Sequence, residues 1–293
     1  MNTLIKRTLS GAVYVALLIG CVLWCKYSFL ALMLLFEALM MNEFMTMTMG
    51  KEYRFSQMLT IFTGLALFAL TWAVRAFPGV HAEFVFLSLI PLFAVMINSL
   101  YVKDKSDFGK FANVYTALLY VAIPLTINNF LVMQTPDGTA ADSTYNGLLL
   151  LCFFIIIWCS DIGAYLFGIS LGQKYGKKLF PSISPKKSWI GFWGGMAIAV
   201  AASLAMYFTG LWEYAGLRAM TWWHAAILAV VMNVFGVYGD LFESQWKRHY
   251  GVKDSGNIIP GHGGMLDRLD SAIFAIPVGT IYLAIFKLFE VTL

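Results

Sequence analysis

Long apolar runs recur from one end of this chain to the other, and they constrain its fold more than any other feature. A helix needs roughly 20 mostly apolar residues to cross a bilayer. We identify about nine such runs, roughly at residues 9–25, 27–49, 58–74, 84–100, 111–133, 145–171, 189–208, 222–240 and 271–289. Strands of a membrane barrel would instead be short segments of alternating hydrophobicity. The pattern predicts an all-α, polytopic integral membrane protein.

The composition excludes an ordinary soluble protein. The hydrophobic set makes up 60% of the 293 residues and charged residues only 12%, whereas soluble domains are about 25% charged. All four cysteines lie inside apolar runs and none forms a Cys-x-x-Cys pair, so we expect neither a zinc site nor a disulfide framework. The first apolar run has no cleavage pattern after it, and we interpret it as an uncleaved span.

The distribution of basic residues predicts the orientation. Cytoplasmic loops of membrane proteins carry the excess of Lys and Arg. With a cytoplasmic N-terminus and nine crossings, sixteen of the 20 Lys and Arg residues fall in cytoplasmic segments, and Lys26, Arg75 and Arg218 fall outside. We therefore expect the C-terminus outside. No organelle-targeting segment is visible, which favours a bacterial inner membrane.

Two cytoplasmic segments are unusually polar for this chain, and both lie in its second half. The first covers residues 158–188, and the second covers residues 239–271. We therefore divide the chain into N-terminal membrane helices at residues 1–140, with spans one to five, and a catalytic membrane region at residues 141–293. The catalytic region contains spans six to nine and the two polar loops.

Four acids are predicted to lie at similar depth near the cytoplasmic ends of the last spans. They are Asp161, Asp240, Asp267 and Asp270. An ionisable residue in a membrane span is a functional candidate, and oxygen ligands without His or Cys suit Mg²⁺. The alternative is that these acids pair with nearby Lys and Arg residues or cap helix starts.

A glycine-rich segment precedes the last span. Small residues let a phosphate approach closely, and Gly261, Gly263 and Gly264 could present backbone N–H groups to an anion. The flanking cations Lys253 and Arg268 favour a polyphosphate-binding loop over a plain helix entry.

Another basic segment lies before span seven. It is a predicted turn, fixed by a proline, in which two lysines stand between two serines. These residues are Ser184, Lys186, Lys187 and Ser188. The arrangement suits phosphate recognition. The alternative is that the lysines reflect the positive-inside bias and attraction to anionic lipid.

Three further residues have open roles. Glu43 falls near the cytoplasmic end of span two, where it could approach the site, and Glu37 is expected to be structural. His262 is either a proton donor to a leaving group or a hydrogen-bonded loop residue.

The polar segments resemble a known family. The signature of the phosphatidate cytidylyltransferases is similar to Ser244-x-x-x-Arg248-x-x-x-x-Lys253-Asp-x-x-x-x-x-Pro-Gly-His-Gly-Gly-x-x-Asp267-Arg-x-Asp270. The upstream stretches at residues 160–165 and 184–187 also resemble motifs of this family. The resemblance extends over roughly residues 150–271. One departure is about one extra helical turn near residues 166–172.

The resemblance implies a Mg²⁺-dependent enzyme that transfers CMP from CTP to phosphatidic acid on the cytoplasmic side of the bilayer. It implies that Asp240 and Asp267 are the principal metal ligands, beside Asp161 and Asp270. The other catalytic residues that we expect are Lys187, Arg248, Lys253 and His262. The expected substrate-binding residues are Ser184, Lys186, Ser188, Ser244, Gly261, Gly263, Gly264 and Arg268.

Partners and rival functions follow from the same residues. We expect CTP, phosphatidic acid and the bilayer as partners, and no nucleic acid. The sequence leaves open whether the site binds a second cation and whether the protein forms a homodimer. The rivals are a relative that acts on an isoprenoid ether lipid, a CTP-dependent polyprenol kinase, and a transporter with carboxylates at mid-membrane.

Overall fold

A computed structural model of the chain describes residues 3–50, 53–102, 108–134 and 144–289. Within these ranges eight helical stretches are long and apolar enough to cross a membrane: Lys26–Met49, Arg54–Ala76, Ala82–Ser99, Gly109–Val132, Leu148–Tyr175, Trp189–Phe208, Trp222–His249 and Leu266–Ile285. The apolar part of the first helix, Thr8–Trp24, is shorter. The all-α membrane fold is therefore confirmed, and a ninth crossing by the first helix stays a prediction.

The described residues form two compact units, and we treat each by itself. The first contains the described residues up to Tyr145 together with Asp254–Arg268. Its elements are α1 (Thr3–Trp24), α2 (Lys26–Met49), α3 (Arg54–Ala76), a 3₁₀ helix (Ala82–Ser88), α4 (Leu89–Ser99), α5 (Phe108–Ala117), a π-helical turn (Leu118–Ala122), α6 (Ile123–Thr126), α7 (Asn128–Val132), β1 (Met133–Gln134) and β2 (Thr144–Tyr145). The two short strands pair antiparallel, with Met133 opposite Tyr145.

Helix α2 is central to this first unit. It contacts α1, α3 and α5, and its side chains Phe29, Met40 and Phe44 are fully buried. The Tyr145 hydroxyl at the end of β2 donates a hydrogen bond to the carbonyl of Val22. Apolar packing around α2 thus holds the unit together.

The second unit contains Asn146–Lys253 and the described residues from Leu269 onward. Its elements are α8 (Leu148–Phe167), a π-helical turn (Gly168–Gly172), α9 (Gln173–Tyr175), β3 (Lys178–Phe180), β4 (Ser184–Ser188), α10 (Trp189–Phe208), α11 (Leu211–Tyr214), α12 (Trp222–His249) and most of α13 (Leu266–Ile285). Strands β3 and β4 form an antiparallel hairpin, with Phe180 opposite Ser184 and Lys178 opposite Ser188.

Glycines bring α8 and α10 into close contact in the second unit. A Cβ atom at Gly195 would lie 2.7 Å from the carbonyl oxygen of Ser160, and one at Gly163 would lie 2.8 Å from the carbonyl oxygen of Gly194. Small residues allow such backbone approach where lipid provides no hydrophobic drive for association. The polar segment that follows α8 is therefore anchored to the start of α10.

The predicted extra turn near residues 166–172 is part of one continuous helical stretch. Helix α8 passes through the π-helical turn Gly168–Gly172 into α9 and ends at Tyr175. A π-helical turn accommodates an additional residue without breaking the helix. The insertion therefore lengthens span six beyond its predicted end at residue 171.

Helix α12 is longer than the bilayer requires. Its 28 residues extend over about 42 Å, whereas the hydrocarbon core of a bilayer is about 30 Å thick. Asp240 is the nineteenth residue of this helix, so its Cα lies about 27 Å along the axis from that of Trp222. The carboxylate is therefore attached near the point where a perpendicular helix would leave the hydrocarbon.

Other boundaries differ from the sequence-based expectations. The last span was expected to start at residue 271, but α13 begins at Leu266, and span eight continues to His249 rather than ending at residue 240. An apolar run ends at the first charged residues, whereas a helix can continue through them. Residues 184–188 form a strand rather than a turn, and Pro185 is tolerated there because a hairpin strand has only one neighbour. Asp254–Arg268, assigned to the second half, groups with the first unit.

Candidate active site

An ion pair joins two predicted site residues in the second unit. The ammonium of Lys187, on β4, lies 2.6 Å from the Oδ2 atom of Asp240, on α12. The two side chains are 24% and 31% exposed, so the pair is partly desolvated. Ser244, one turn further along α12, donates a hydrogen bond of 3.2 Å to the other oxygen of Asp240. Both carboxylate oxygens of Asp240 therefore have partners.

Two further predicted acids lie near this ion pair. Asp270, on α13, is half-buried, and Asp161, on α8, is exposed. The carboxylates of Asp240 and Asp161 repel that of Asp270, while the ammonium of Lys187 attracts it. Asp161, Asp240 and Asp270 are thus brought together as predicted.

This donor set has the chemistry that suits Mg²⁺. Within the described ranges, no three His, Cys, Asp or Glu side chains form a ready-made metal site. Mg²⁺ usually keeps several waters and binds one or two carboxylates together with substrate phosphates. Two carboxylates repel the carboxylate of Asp270, and one ammonium attracts it. This balance favours the binding of a further cation. The residues present therefore fit this ion, and its binding stays a prediction.

The basic segment is held by the hairpin and by the helix that follows it. The Ser188 hydroxyl accepts a hydrogen bond of 3.1 Å from the backbone N–H of Gly191, which makes Ser188 the N-cap of α10. Ser188 is buried, whereas Lys186 is exposed. In the described part of the chain, Lys186 makes no hydrogen bond or ion pair. The hairpin thus directs Lys187 to Asp240 and leaves Lys186 available to an anion.

Two predicted cations lie at the end of α12. The Arg248 guanidinium donates to the carbonyl of Val252, at 3.1 Å, and to that of Ile183, at 3.4 Å. It therefore ties the end of α12 to the hairpin turn. Lys253 is exposed and, among the residues that the structure describes, has no hydrogen-bond or ion-pair partner. Lys253 is thus the more accessible of the two.

The glycine-rich segment, in the first unit, is a tight loop. The N–H of His262 donates to the carbonyl of Ile259, and the N–H of Ile259 donates to that of Gly263, at 2.9 and 3.0 Å. Gly261 and Gly263 have φ values of 79° and 86°, a region that side chains with a Cβ rarely adopt. The glycines are therefore required by the loop itself, whatever they also bind.

Asp267 closes this loop against the start of α13. Its Oδ2 atom accepts hydrogen bonds from the N–H of Gly264 at 2.8 Å and from Ser255, whose N–H and hydroxyl lie at 2.9 and 3.0 Å. This matches the capping alternative, and a metal-binding role stays a prediction. The neighbouring Arg268 is exposed. Asp240 belongs to the second unit, so the predicted Asp240–Asp267 metal pair stays a prediction as well.

His262 has a partner that the sequence did not indicate. The hydroxyl of Ser10, on α1, donates to the carbonyl of Pro260 and lies 3.0 Å from the Nδ1 atom of His262. A hydroxyl has one proton to donate, so the ring form with a proton on Nδ1 satisfies both contacts. The loop-residue alternative for His262 is observed, and its role as a proton donor stays a prediction.

Two supporting acids have partners that the sequence did not indicate. Glu43, whose role the sequence left open, accepts hydrogen bonds from the N–H groups of Met265 and Leu266, directly after the glycine-rich loop. Glu243, on α12, forms a buried ion pair with Lys247 at 2.6 Å. The i,i+4 spacing of Glu243 and Lys247 was a readable signal, because such residues are neighbours on a helix surface. The Glu43 contacts join residues more than 200 positions apart and leave no local pattern.

Comparison with known proteins gives the family. A model described as the cytidylyltransferase family matches residues 5–286. The phosphatidate cytidylyltransferase of Bacillus subtilis is 35% identical over 201 residues, which are 68% of each chain. That of Staphylococcus epidermidis is 44% identical over 138 residues, 47% of this chain and 50% of the relative. That of Staphylococcus aureus is 45% identical over 135 residues, 46% of this chain and 48% of the relative.

These matches differ in extent. The chain spans about half the length of the staphylococcal relatives that it matches. The family model, in contrast, extends through nearly all of the membrane helices of both units. Because that match covers far more than half of the sequence, the protein belongs to the cytidylyltransferase family.

Proposed function

We propose that this protein transfers CMP from CTP to phosphatidic acid, releasing pyrophosphate and giving CDP-diacylglycerol for phospholipid synthesis. The relatives named above carry that activity in their names. The observation that carries the proposal is the Lys187–Asp240 ion pair, with Asp161 and Asp270 beside it. A cytidylyltransferase needs basic side chains to bind its polyanionic substrates and acidic side chains to hold a metal cation.

The reaction joins two anions. A phosphate oxygen of phosphatidic acid attacks the α-phosphorus of CTP, a new P–O bond forms, and the bond to pyrophosphate breaks. The attacking oxygen is already anionic, so a strong general base is not needed. The main barrier is the repulsion between the two phosphate groups, which oriented positive charges reduce.

The residues of this chain supply that charge in two ways. Bound Mg²⁺, held by Asp240 and the neighbouring acids, would neutralise phosphate oxygens. Lys187 lies beside Asp240, and Lys186 and Lys253 are exposed cations that can bind the phosphates directly. Arg268, in the first unit, is a further exposed cation at the start of α13. Asp267 is proposed as the second metal ligand on the family resemblance.

The site is proposed to face the cytoplasm of a bacterial inner membrane. CTP is a water-soluble nucleotide, and phosphatidic acid stays in the bilayer with its phosphate at the surface. Asp240 is about 27 Å along α12 from the first residue of that helix, a length close to that of the hydrocarbon core. A charged cluster at the membrane edge can meet both substrates.

The test is pyrophosphate release from CTP by the purified protein in detergent micelles that contain phosphatidic acid. We expect release only when phosphatidic acid and Mg²⁺ are both present, with CDP-diacylglycerol formed in equal amount. A panel of acceptors, including polyprenol and an isoprenoid ether lipid phosphate, separates this function from its enzymatic rivals. Release that favours another acceptor, or no release at all, would overturn the proposal.

A further inference from the structure

A buried carboxylate from the N-terminal half contacts the start of the last helix. Glu43, on α2, is only 4% exposed. Its Oε1 atom accepts a hydrogen bond from the N–H of Met265, and its Oε2 atom accepts one from the N–H of Leu266, both at 2.9 Å. The first N–H groups of a helix lack partners within the helix, and a negative charge there is favoured by the helix dipole. Glu43 therefore caps α13 from another helix.

The same carboxylate reaches Asp267 through one side chain. The hydroxyl of Ser255 lies 3.1 Å from the Oε2 atom of Glu43 and 3.0 Å from the Oδ2 atom of Asp267. It can donate its single proton to one of these acids at a time. The N–H of Ser255 donates to the same Asp267 oxygen at 2.9 Å. Displacing Ser255 would thus remove two of the contacts that orient Asp267.

Two glycines are shaped around the Glu43 carboxylate. A Cβ atom at Gly264 would lie 2.3 Å from the Oε2 atom of Glu43, and one at Gly256 would lie 2.6 Å from its Oε1 atom. Real Cβ atoms do not approach oxygen so closely, so both positions require glycine for this packing. The loop backbone from Gly256 to Gly264 is therefore fitted to Glu43 at both of its ends.

We propose that Glu43 is a positioning residue that holds the glycine-rich loop and the Asp267 carboxylate in the arrangement that binds the phosphates of CTP. The inference rests on the proposed function, since it takes CTP as the ligand of this loop. Glu43 acts through Ser255 and the backbone of Met265 and Leu266, and it does not touch the substrate.

The chain offers a matched control. Glu37 lies on the same helix, is 0% exposed, and neither of its carboxylate oxygens has a hydrogen-bond partner among the described residues. Glu43→Gln and Glu37→Gln make the same substitution on the same helix with almost no change of volume. Only Glu43→Gln replaces an oxygen acceptor of the loop by an amide NH₂, which cannot accept a hydrogen bond.

The experiment measures binding of CTP without turnover. The melting temperature of the purified protein is recorded with Mg²⁺ and increasing CTP and no lipid acceptor, since a ligand that binds the folded state raises it. We expect Glu43→Gln to need about tenfold more CTP for the same shift, which is about 1.4 kcal/mol. Glu37→Gln should follow the original protein. Glu43→Asp, which keeps the charge, should recover part of the affinity.

A second variant covers the case in which Glu43→Gln does not fold. Ser255→Ala removes only the shared hydroxyl and should weaken CTP binding in the same direction. Where both variants fold, the double variant should weaken binding by less than the two single effects combined, because the residues act along one route. Equal CTP dependence of Glu43→Gln and Glu37→Gln, or an unaffected Ser255→Ala, would overturn the inference. No CTP-dependent shift in the unsubstituted protein would instead overturn the proposed function.

Discussion

Replacing Lys187 by methionine should slow the reaction and also lower the Mg²⁺ concentration at which the rate is half-saturated. Lys187 neutralises Asp240 at an N···O distance of 2.6 Å. If Asp240 holds Mg²⁺ during the reaction, the lysine and the metal compete for one carboxylate. The lysine that leaves Asp240 is then free to bind a substrate phosphate. Lys187→Met removes the competitor and the phosphate ligand together, so the two effects have opposite signs.

The structure sets the expected magnitudes. Exposed ion pairs contribute about 0.2–1 kcal/mol, and hydrogen bonds to charged groups contribute about 1.5–3 kcal/mol. With side chains 24% and 31% exposed, the pair lies between these classes, and we take about 1 kcal/mol for the competition with Mg²⁺. The half-saturating Mg²⁺ concentration should then fall about fivefold. Loss of the phosphate contact should reduce kcat/KM for CTP at least about tenfold, or 1.4 kcal/mol.

The assay is CDP-diacylglycerol formation at fixed phosphatidic acid over a series of Mg²⁺ concentrations. Lys174→Met is the control, because Lys174 is exposed and lies over the ring of Tyr175 rather than beside an acid. It should change neither quantity. The reasoning is refuted if Lys187→Met and Lys174→Met give the same rate and the same Mg²⁺ dependence, since the lysines would then serve only the positive-inside bias.

Four other changes test the remaining site and the fold. Asp240→Asn and Asp267→Asn each keep the shape but remove the charge, and each should cost on the order of a thousandfold in rate, roughly 4 kcal/mol, with partial recovery at high Mg²⁺. Gly264→Ala would place a Cβ atom 2.2 Å from the Ser255 hydroxyl, and we expect it to lower stability by about 1–3 kcal/mol, measured by thermal unfolding. A reporter fused to the C-terminus should report the outer side of the membrane.

Each of these changes has a control or a contradicting result. Glu213→Gln, an exposed acid on α11, should leave the rate unchanged, and near-normal rates for both Asp variants would remove those residues from the metal site. Gly20→Ala, inside α1, has no atom within 4 Å of the added Cβ and should not lower the thermal stability, because alanine is the better helix former. A drop in stability equal to that of Gly264→Ala would contradict the close contact. With a cytoplasmic N-terminus, a cytoplasmic C-terminus would show that the number of crossings is even.

Hydropathy located the spans because burial in lipid depends on composition over a whole window. It located their ends less well. Helix α12 continues past Asp240 to His249, and α13 starts five residues before the predicted start. Charged residues end an apolar run but not a helix, especially where a cap such as Glu43 satisfies its first N–H groups. The hairpin of β3 and β4 was missed because two short strands have no periodicity that a window can detect.

The candidate site was only partly predictable for a similar reason. The sequence indicated Asp161, Asp240, Asp267 and Asp270 as one group, because their depth follows from the spans, and three of these acids, Asp161, Asp240 and Asp270, do lie together. It placed Lys187 in a separate phosphate-binding segment and did not indicate the ion pair of Lys187 with Asp240. The sequence could not indicate that the Ser188 hydroxyl is used as an N-cap. N-capping and phosphate binding both favour a serine before a helix, so the residue type alone does not separate them.

The length of α12 links the site to the lipid that surrounds it. Asp240 is fixed about 27 Å along the helix from its first residue, and this distance cannot adjust to the host membrane. Bilayers differ in thickness by several Å, and a mismatch with a helix is relieved by tilting the helix or by deforming the lipid. A thicker bilayer would draw the Lys187–Asp240 pair towards the acyl chains, while a thinner one would lift it into water. In the proposed function the product is a precursor of phospholipids, so the thickness of the membrane would act on a step of its own synthesis.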